Sequence, residues 1–228
     1  MGHQPRGGKA AVVGNPVRPS LFAGDAAKGR AFVGAPESLP IVFFVGGSQG
    51  SRQVNDLVAA IRPAFAGKAF IVHQTGAGLF DAAANTAVAG AYKALPYIGA
   101  EISDILAAAS VVAGRAGAGT VWESAALGKP MVLIPLAGAG TRGDQVENAE
   151  MAAQAGAAVC LAGDKATPDA TLSALLGYLE NAEALAKASA AALALSGVKT
   201  ESGESARSAD YIAGLILEAL DGAAGGTR

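Results

Sequence analysis

Apolar residues in this chain come in short runs broken by glycine, proline and polar residues, and from residue 40 onward two spacings alternate. "PIVFFVGG" at 40–47 is a near-continuous apolar run of strand length. "SRQVNDLVAAIRPA" at 51–64 then places Val54, Leu57, Val58 and Ile61 at helical intervals. The same reading predicts strands at "KAFIVHQTG" (68–76), "AYKALPY" (91–97), "SVVAG" (110–114), "PMVLIPL" (130–136) and "AAVCLAG" (157–163). Helices are predicted near 78–85 and over 101–109, 119–128 and 143–155. This alternation of strands and helices with short connections predicts an α/β fold with a doubly wound, Rossmann-like parallel sheet. Ligands of such sheets sit beyond the carboxyl ends of the strands.

The flanks differ. Residues 1–39 carry Pro5, Pro16, Pro19 and Pro36 and read as an extended lead-in, with at most a short helix near 21–29. After residue 167 the chain is rich in alanine and leucine and reads as helical, with Pro168 in a first turn and "SARSADYIAGLILEAL" as the last helix. These helices are expected to pack across the end of the sheet. The division expected is a lead-in over 1–39, one folded domain over 40–222 and a fraying tail over 223–228.

Composition narrows the class. With 228 residues the chain can bury a sizeable core; 51% is hydrophobic, yet aromatics are only 5% and 31 residues are glycine, so thin, closely packed layers are expected. The net charge of −2 and the lack of a long basic run leave little attraction for nucleic acid, which is excluded as a partner. The single cysteine, Cys160, rules out a disulfide framework and fits a reducing compartment. No apolar run is long enough to span a bilayer and "MGHQPRGGKA" has no apolar leader, so a cytoplasmic location is expected.

Three strand-to-helix connections carry the candidate chemistry. In the first, Gly46, Gly47, Ser48, Gln49, Gly50 and Ser51 stand where a strand turns sharply into a helix. Backbone N–H groups of the helix start have no intrahelical acceptor, so they favour a phosphate or diphosphate, to which Ser48 and Ser51 add hydroxyls. A glycine-rich turn made only for packing is the alternative. The stretch has neither a Gly-Lys-Ser/Thr ending nor Gly-x-Gly-x-x-Gly spacing, which argues against a P-loop and against an NAD-dependent dehydrogenase.

The second connection is "GRAGAGTVWESAALGKP" at 114–130. Thr120 and Glu123 have the spacing of a capping box, which would account for both. Alternatively the helix start faces phosphate while Glu123, one turn in, accepts hydrogen bonds from vicinal hydroxyls such as those of a ribose. In the third, "PLAGAGTRGDQVENAEM" at 135–151, Asp144 could cap a helix with Gln145 and Asn148 on a solvated face, or all three could meet hydroxyl groups. All three connections fall on one sheet edge, which predicts a common crevice.

At these loops the sequence resembles the C-terminal, donor-binding half of the MurG family, the peptidoglycan glycosyltransferases of family 28. The matching pieces, in family order, are "VVGNPVRPSL" (12–21), "VGGSQGSRQVN" (45–55), "VHQTG" (72–76), "PYIGAEISDILAAASVVAGRAGAGTVWESAALGKPMVLIPL" (96–136) and "DQVENAEMAAQAGAAV" (144–159). The resemblance implies half of a GT-B fold and a hexosyltransferase that moves N-acetylglucosamine from UDP-N-acetylglucosamine to lipid I, undecaprenyl-diphospho-muramoylpentapeptide. By matching residue, Ser48 with nearby N–H groups and Ala118, Gly119 and Thr120 would hold the diphosphate, with Arg18 adding positive charge. Backbone groups of Ile98 would read uracil, Glu123 would hold the ribose, and Gln145, with Asp144 and Asn148, would hold the sugar. Many relatives carry an amide or histidine at the position of Asp144, so sugar preference is the least constrained element.

The resemblance also implies what this chain would not supply. It begins at the family's inter-domain linker, so the acceptor-binding half and its catalytic base are expected to be absent, leaving no catalytic residue here and an isolated chain that is inactive. The acceptor would be reached through a missing or separate domain, peripherally at the cytoplasmic face of the membrane. No cofactor and no metal are expected. His73 is expected to be a satisfied ring near a strand end. The alternatives are the donor subunit of a split two-chain transferase and a non-catalytic nucleotide-sugar-binding module.

Overall fold

The computed structural model of the protein describes residues 14–47, 49–82, 91–138, 142–199 and 205–225. Its centre is a six-stranded, all-parallel sheet formed by β1 (Ile41–Val45), β2 (Phe70–Gln74), β3 (Tyr92–Leu95), β4 (Ala109–Gly114), β5 (Met131–Leu133) and β6 (Ala158–Cys160). The strand order is β3-β2-β1-β4-β5-β6, so the sheet is doubly wound, as the α/β alternation predicts. The chain runs outward from β1 to β3, then returns to the other side of β1, so the topological switch lies between β1 and β4.

The continuous apolar run of β1 is explained by burial on both faces. Ile41 and Phe43 point into one core with Phe70, Val72, Val112, Met131 and Leu133. Val42 and Phe44 point into the other, with Ile71, Val111, Ala113 and Val132. The period of two is thus written in the alternate destinations of neighbours, even though no residue of β1 is polar enough to show it. Each large side chain so buried, such as Phe43 or Phe44, contributes about 1.5–3 kcal/mol relative to exposure.

The first core is closed by α1 (Ala26–Val33), α3 (Ile102–Ala108), α4 (Ala118–Ala126) and α5 (Asp144–Gln154). The second is closed by α2 (Arg52–Ile61) and α6 (Pro168–Leu179). Thr167 caps α6, its hydroxyl accepting from the Ala170 N–H, and Pro168 occupies the first turn as the sequence indicates. Rather than lying across the end of the sheet, α6 covers a face, and α7 (Ala182–Ser196) serves both cores, Ala188 in one and Ala192 in the other. Lys129 buries its stem and donates from Nζ to the carbonyls of Ala107 and Ala109 at 2.9 and 2.8 Å, capping the end of α3.

The lead-in contributes to the packing. A 3-10 turn, Pro19–Ala23, buries Leu21, and α1 begins at Asp25, whose carboxylate accepts from Ala27 and Lys28. The Asp25 N–H in turn donates to Asp104 of α3 at 2.8 Å, and Arg30 ties the following turn to the carbonyls of Pro36 and Leu39. The short helix expected near 21–29 therefore lies later, at 26–33. A two-stranded antiparallel ribbon, β7 (Gly197–Lys199) with β8 (Ser205–Arg207), precedes α8 (Ser208–Gly225) and is not legible in the sequence, because neither "GVK" nor "SAR" lies in an apolar run of strand length. Of the helix predicted near 78–85, a 3-10 turn at Ala77–Leu79 is present and residues 83–90 lie outside the described residues. Among the described residues, no helix is long and apolar enough to cross a membrane.

Candidate functional site

The first and last strand-to-helix connections are brought together with the second at the switch point. They frame a cleft of about 530 Å³ lined by Gly46, Gly47, Gln49, Gly50 and Ser51 from the first, Arg115, Gly117 and Thr120 from the second, and Leu136 and Gln145 from the third. Two helices start at this cleft. In α2 the first turn is capped by Ser51, whose hydroxyl accepts from the Val54 N–H at 3.3 Å, so Ser51 serves the helix start. In α4 the position before the helix is Gly117 and carries no side-chain cap; the first backbone bond runs from Val121 N–H to Gly117 at 3.1 Å. The N–H groups of Ala118, Gly119 and Thr120 are therefore left without intrahelical acceptors, the arrangement that binds anions.

This helix boundary corrects the capping-box reading. Because α4 begins at Ala118, Thr120 is its third residue and Glu123 its sixth, and neither side chain caps the helix. Glu123 pairs instead with Arg18, whose guanidinium donates to Oε1 at 3.1 Å across 105 positions of sequence. The Arg18 side chain is 62% exposed and that of Glu123 25%, so the pair is a weak tether. It holds Glu123 beside a small apolar slot that Thr120 also lines, with Ile102 and Leu106 of α3. Ile98 is buried in the first core, just after β3.

Asp144 is likewise no cap: α5 is preceded by Gly143, and Asp144 is its exposed first residue. Gln145 lines the cleft and accepts the Leu136 N–H on Oε1 at 3.0 Å, and Asn148 donates to the Ala116 carbonyl at 3.1 Å. The two amides thus tie the second and third loops to α5. Ser48 lies outside the described residues.

Sequence reasoning missed Arg115. This half-buried guanidinium donates from Nη1 to Gln53 Oε1 at 2.9 Å and to the Ile134 carbonyl at 3.1 Å, so it bridges α2, β4 and the exit of β5 inside the cleft. Burial lowers its pKa from the usual arginine value, yet an arginine remains cationic there. The available signal was its position, immediately after the last strand residue in "GRAGAG". Beside it, Gly114 has φ 137°, and a Cβ at this position would overlap the carbonyl of Val45. The seam between β1 and β4 is closed by that contact and by the Arg115 N–H donating to Val45 at 3.0 Å. Among the described residues, no group of three or more His, Cys, Asp or Glu side chains is gathered to hold a metal ion.

A doubly wound sheet with a cleft at its switch point, framed by two helix starts and a cationic guanidinium, defines an α/β domain of the Rossmann-like class. Residues 41–205 match the glycosyltransferase family 28 C-terminal domain. The chain belongs to glycosyltransferase family 28. It is 40% identical over 205 residues to a UDP-N-acetylglucosamine–N-acetylmuramyl-(pentapeptide) pyrophosphoryl-undecaprenol N-acetylglucosamine transferase of Treponema denticola, covering 84% of this chain and 52% of that protein. A Geobacillus thermodenitrificans protein of the same name is 38% identical over 175 residues, 76% of this chain and 48% of that protein. Among solved structures, MurG of Acinetobacter baumannii superposes with a TM-score of 0.62 at 24% identity, covering 83% of this chain and 52% of that one. The fold is that of the C-terminal half of a GT-B glycosyltransferase, and the chain spans about half the length of the relatives it matches.

Proposed function

We propose that the chain is the donor-binding half of an inverting transferase that moves N-acetylglucosamine from UDP-N-acetylglucosamine to lipid I, the undecaprenyl-linked precursor of peptidoglycan, at the cytoplasmic face of the membrane. The observation that carries this reading is the convergence of three strand-to-helix loops on one cleft, in a chain 40% identical to a transferase named for that donor and acceptor. In this reading the diphosphate lies against the starts of α2 and α4, near Arg115, with Arg18 and Ser48 adding donors. Uracil meets the backbone of Ile98, the ribose meets Glu123, and the sugar meets Gln145, Asp144 and Asn148. The donor set is made of N–H groups and guanidinium, so the charge of the leaving UDP is met by preorganised dipoles and cations of the chain without a metal ion.

Deprotonating the acceptor hydroxyl needs a base within reach of it. His73 does not fit that role, because it is buried and both ring nitrogens are engaged, with Tyr92 and Asn55. The chain by itself is therefore expected to bind donor and to give no transfer to a lipid I analogue in a radiolabel assay. Sustained transfer by the purified chain would refute this division of labour.

The reading is tested by calorimetric titration with UDP-N-acetylglucosamine, its 4-epimer and NAD. Saturable binding of the UDP-sugar is expected, with NAD not competing. Glu123→Ala should weaken it by about 1–3 kcal/mol, since two hydroxyls lose their acceptor. No saturable UDP-sugar binding, or equal affinity for NAD, would overturn the assignment.

A further inference from the structure

The segment "HQTG" at 73–76 lies at the end of β2, outside the cleft, yet each of its residues is buried, and Gln74, Thr75 and Gly76 touch the glycine loop. Gln74, 6% exposed, donates from Nε2 to the carbonyl of Gly47 at 3.1 Å. Thr75 is fixed from behind, its N–H donating to the Leu95 carbonyl of β3 at 3.0 Å, and its own carbonyl accepts from Asn55 Nδ2 at 3.2 Å. Gly50 rests directly on that carbonyl: its φ is 80°, and a Cβ there would overlap the Thr75 oxygen. Turn and glycine loop therefore touch backbone to backbone, with Gln74 bracing one side and Asn55 the other.

The hydrogen bonds behind this contact have one direction. The Thr75 carbonyl can only accept, so Asn55 presents its amide N–H to it and its Oδ1 to His73. His73 Nε2, 3.0 Å away, must then carry the proton, and Nδ1 accepts from the Tyr92 hydroxyl at 2.9 Å. The Arg62 guanidinium stands 5.1 Å from the centre of the Tyr92 ring and closes the chain. His73 is 1% exposed, and every polar atom of its ring is used. Such a run of buried, satisfied polar groups specifies geometry more than it adds stability.

We infer that Gln74 and the Tyr92–His73–Asn55 chain are positioning elements for the diphosphate: they hold the glycine loop of the cleft in its anion-binding shape through the Thr75 carbonyl and the Gly47 carbonyl. The inference rests on the proposed nucleotide-sugar reading and concerns only its phosphate part. Within the loop the Gly50 N–H donates to the Gly47 carbonyl at 3.1 Å, and the neighbouring strand adds the Gln74 bond to that same carbonyl and the Thr75 carbonyl on which Gly50 rests. Preorganising a loop in its bound form strengthens binding of whatever contacts that loop and leaves contacts elsewhere unchanged.

The test compares UDP with uridine, which share the base and ribose and differ in the diphosphate, in the full chain and in His73→Phe and Gln74→Met. Calorimetry of the unaltered chain should show UDP bound more tightly than uridine. Both variants should lose about tenfold in UDP affinity while uridine affinity stays within about twofold, so the ratio of the two affinities collapses. A role in packing alone would lower both affinities together or neither, and either result overturns the inference. Should His73→Phe fail to fold, which a thermal melt reports, Gln74→Met carries the same comparison with the ring network intact. If the unaltered chain binds neither ligand, or binds both alike, the nucleotide-diphosphate reading itself falls, a result separate from the behaviour of the variants.

Discussion

Gly114→Ala is expected to destabilise the protein by about 3 kcal/mol or more, a loss typical of backbone strain combined with overlap in a buried site. Gly114 ends β4 at φ 137°, a conformation that side chains rarely adopt. The atom that an added Cβ would meet is the Val45 carbonyl, part of the backbone of the neighbouring strand, so no rotamer change can relieve the overlap. Nor can the strand retreat freely: Arg115 N–H bonds to that same carbonyl at 3.0 Å, and the Gly114 carbonyl accepts from Ile134 at 2.7 Å. Urea unfolding of the variant measures the effect. Gly177→Ala, on the exposed face of α6 where a Cβ meets nothing, should instead raise stability by about 0.5–1 kcal/mol. Equal midpoints for Gly114→Ala and the parent would show that the β1–β4 seam is not held as described.

The second large effect is acid sensitivity carried by His73. Burial, with the nearby Arg62 charge adding to it, lowers the His73 pKa to about 4 from 6.5. In the unfolded chain the ring has its ordinary pKa, so between those two values the unfolded state binds more protons than the native one, and stability rises with pH. The contribution is fully present above about pH 6.5 and fades as pH falls toward 4, where this one residue should remove about 3 kcal/mol relative to neutral pH. Tyr92 faces the ring without competing for protons, since burial pushes its phenol up. Chemical denaturation at neutral pH and near pH 4.5 tests this, with His73→Phe as the partner measurement. The parent should lose more stability on acidification than the variant, and identical losses would mean that the native ring takes up its proton at an ordinary pH.

Much of the fold is legible in the sequence, for physical reasons that also mark where reading stops. The run "IVFFV" announces a doubly covered strand because only a sheet with helices on both faces can bury every position of it. Turn chemistry located the three loops, since glycines stand where strands turn into helices. Sheet order is a long-range property, and local periodicity does not encode that β1 pairs with both β2 and β4. The same limit misled the reading of Thr120 and Glu123: their spacing suited a capping box, but α4 starts at Ala118 and Glu123 meets Arg18 from the lead-in. Arg115 escaped notice because a lone arginine in a glycine loop has no pattern, and its importance comes from Gln53 and Ile134, which only the fold brings to it. His73, by contrast, was rightly expected to be a satisfied ring.

The position of β1 at the centre of the sheet has a kinetic meaning. Residues 41–45 can complete their pairing only when residues 109–114 arrive, after two outward strands have been laid down. Closing so long a loop expends chain entropy before native contacts offset it, which places refolding in the millisecond-to-second range rather than the microsecond range. A nascent chain that has emerged only as far as β3 holds one half of the sheet with the edge of β1 bare, and the switch point does not yet exist. The cleft is thus among the last features to form, and a ligand seated there recognises only the completed molecule, so it raises the free energy of unfolding with the logarithm of its concentration once that exceeds the dissociation constant.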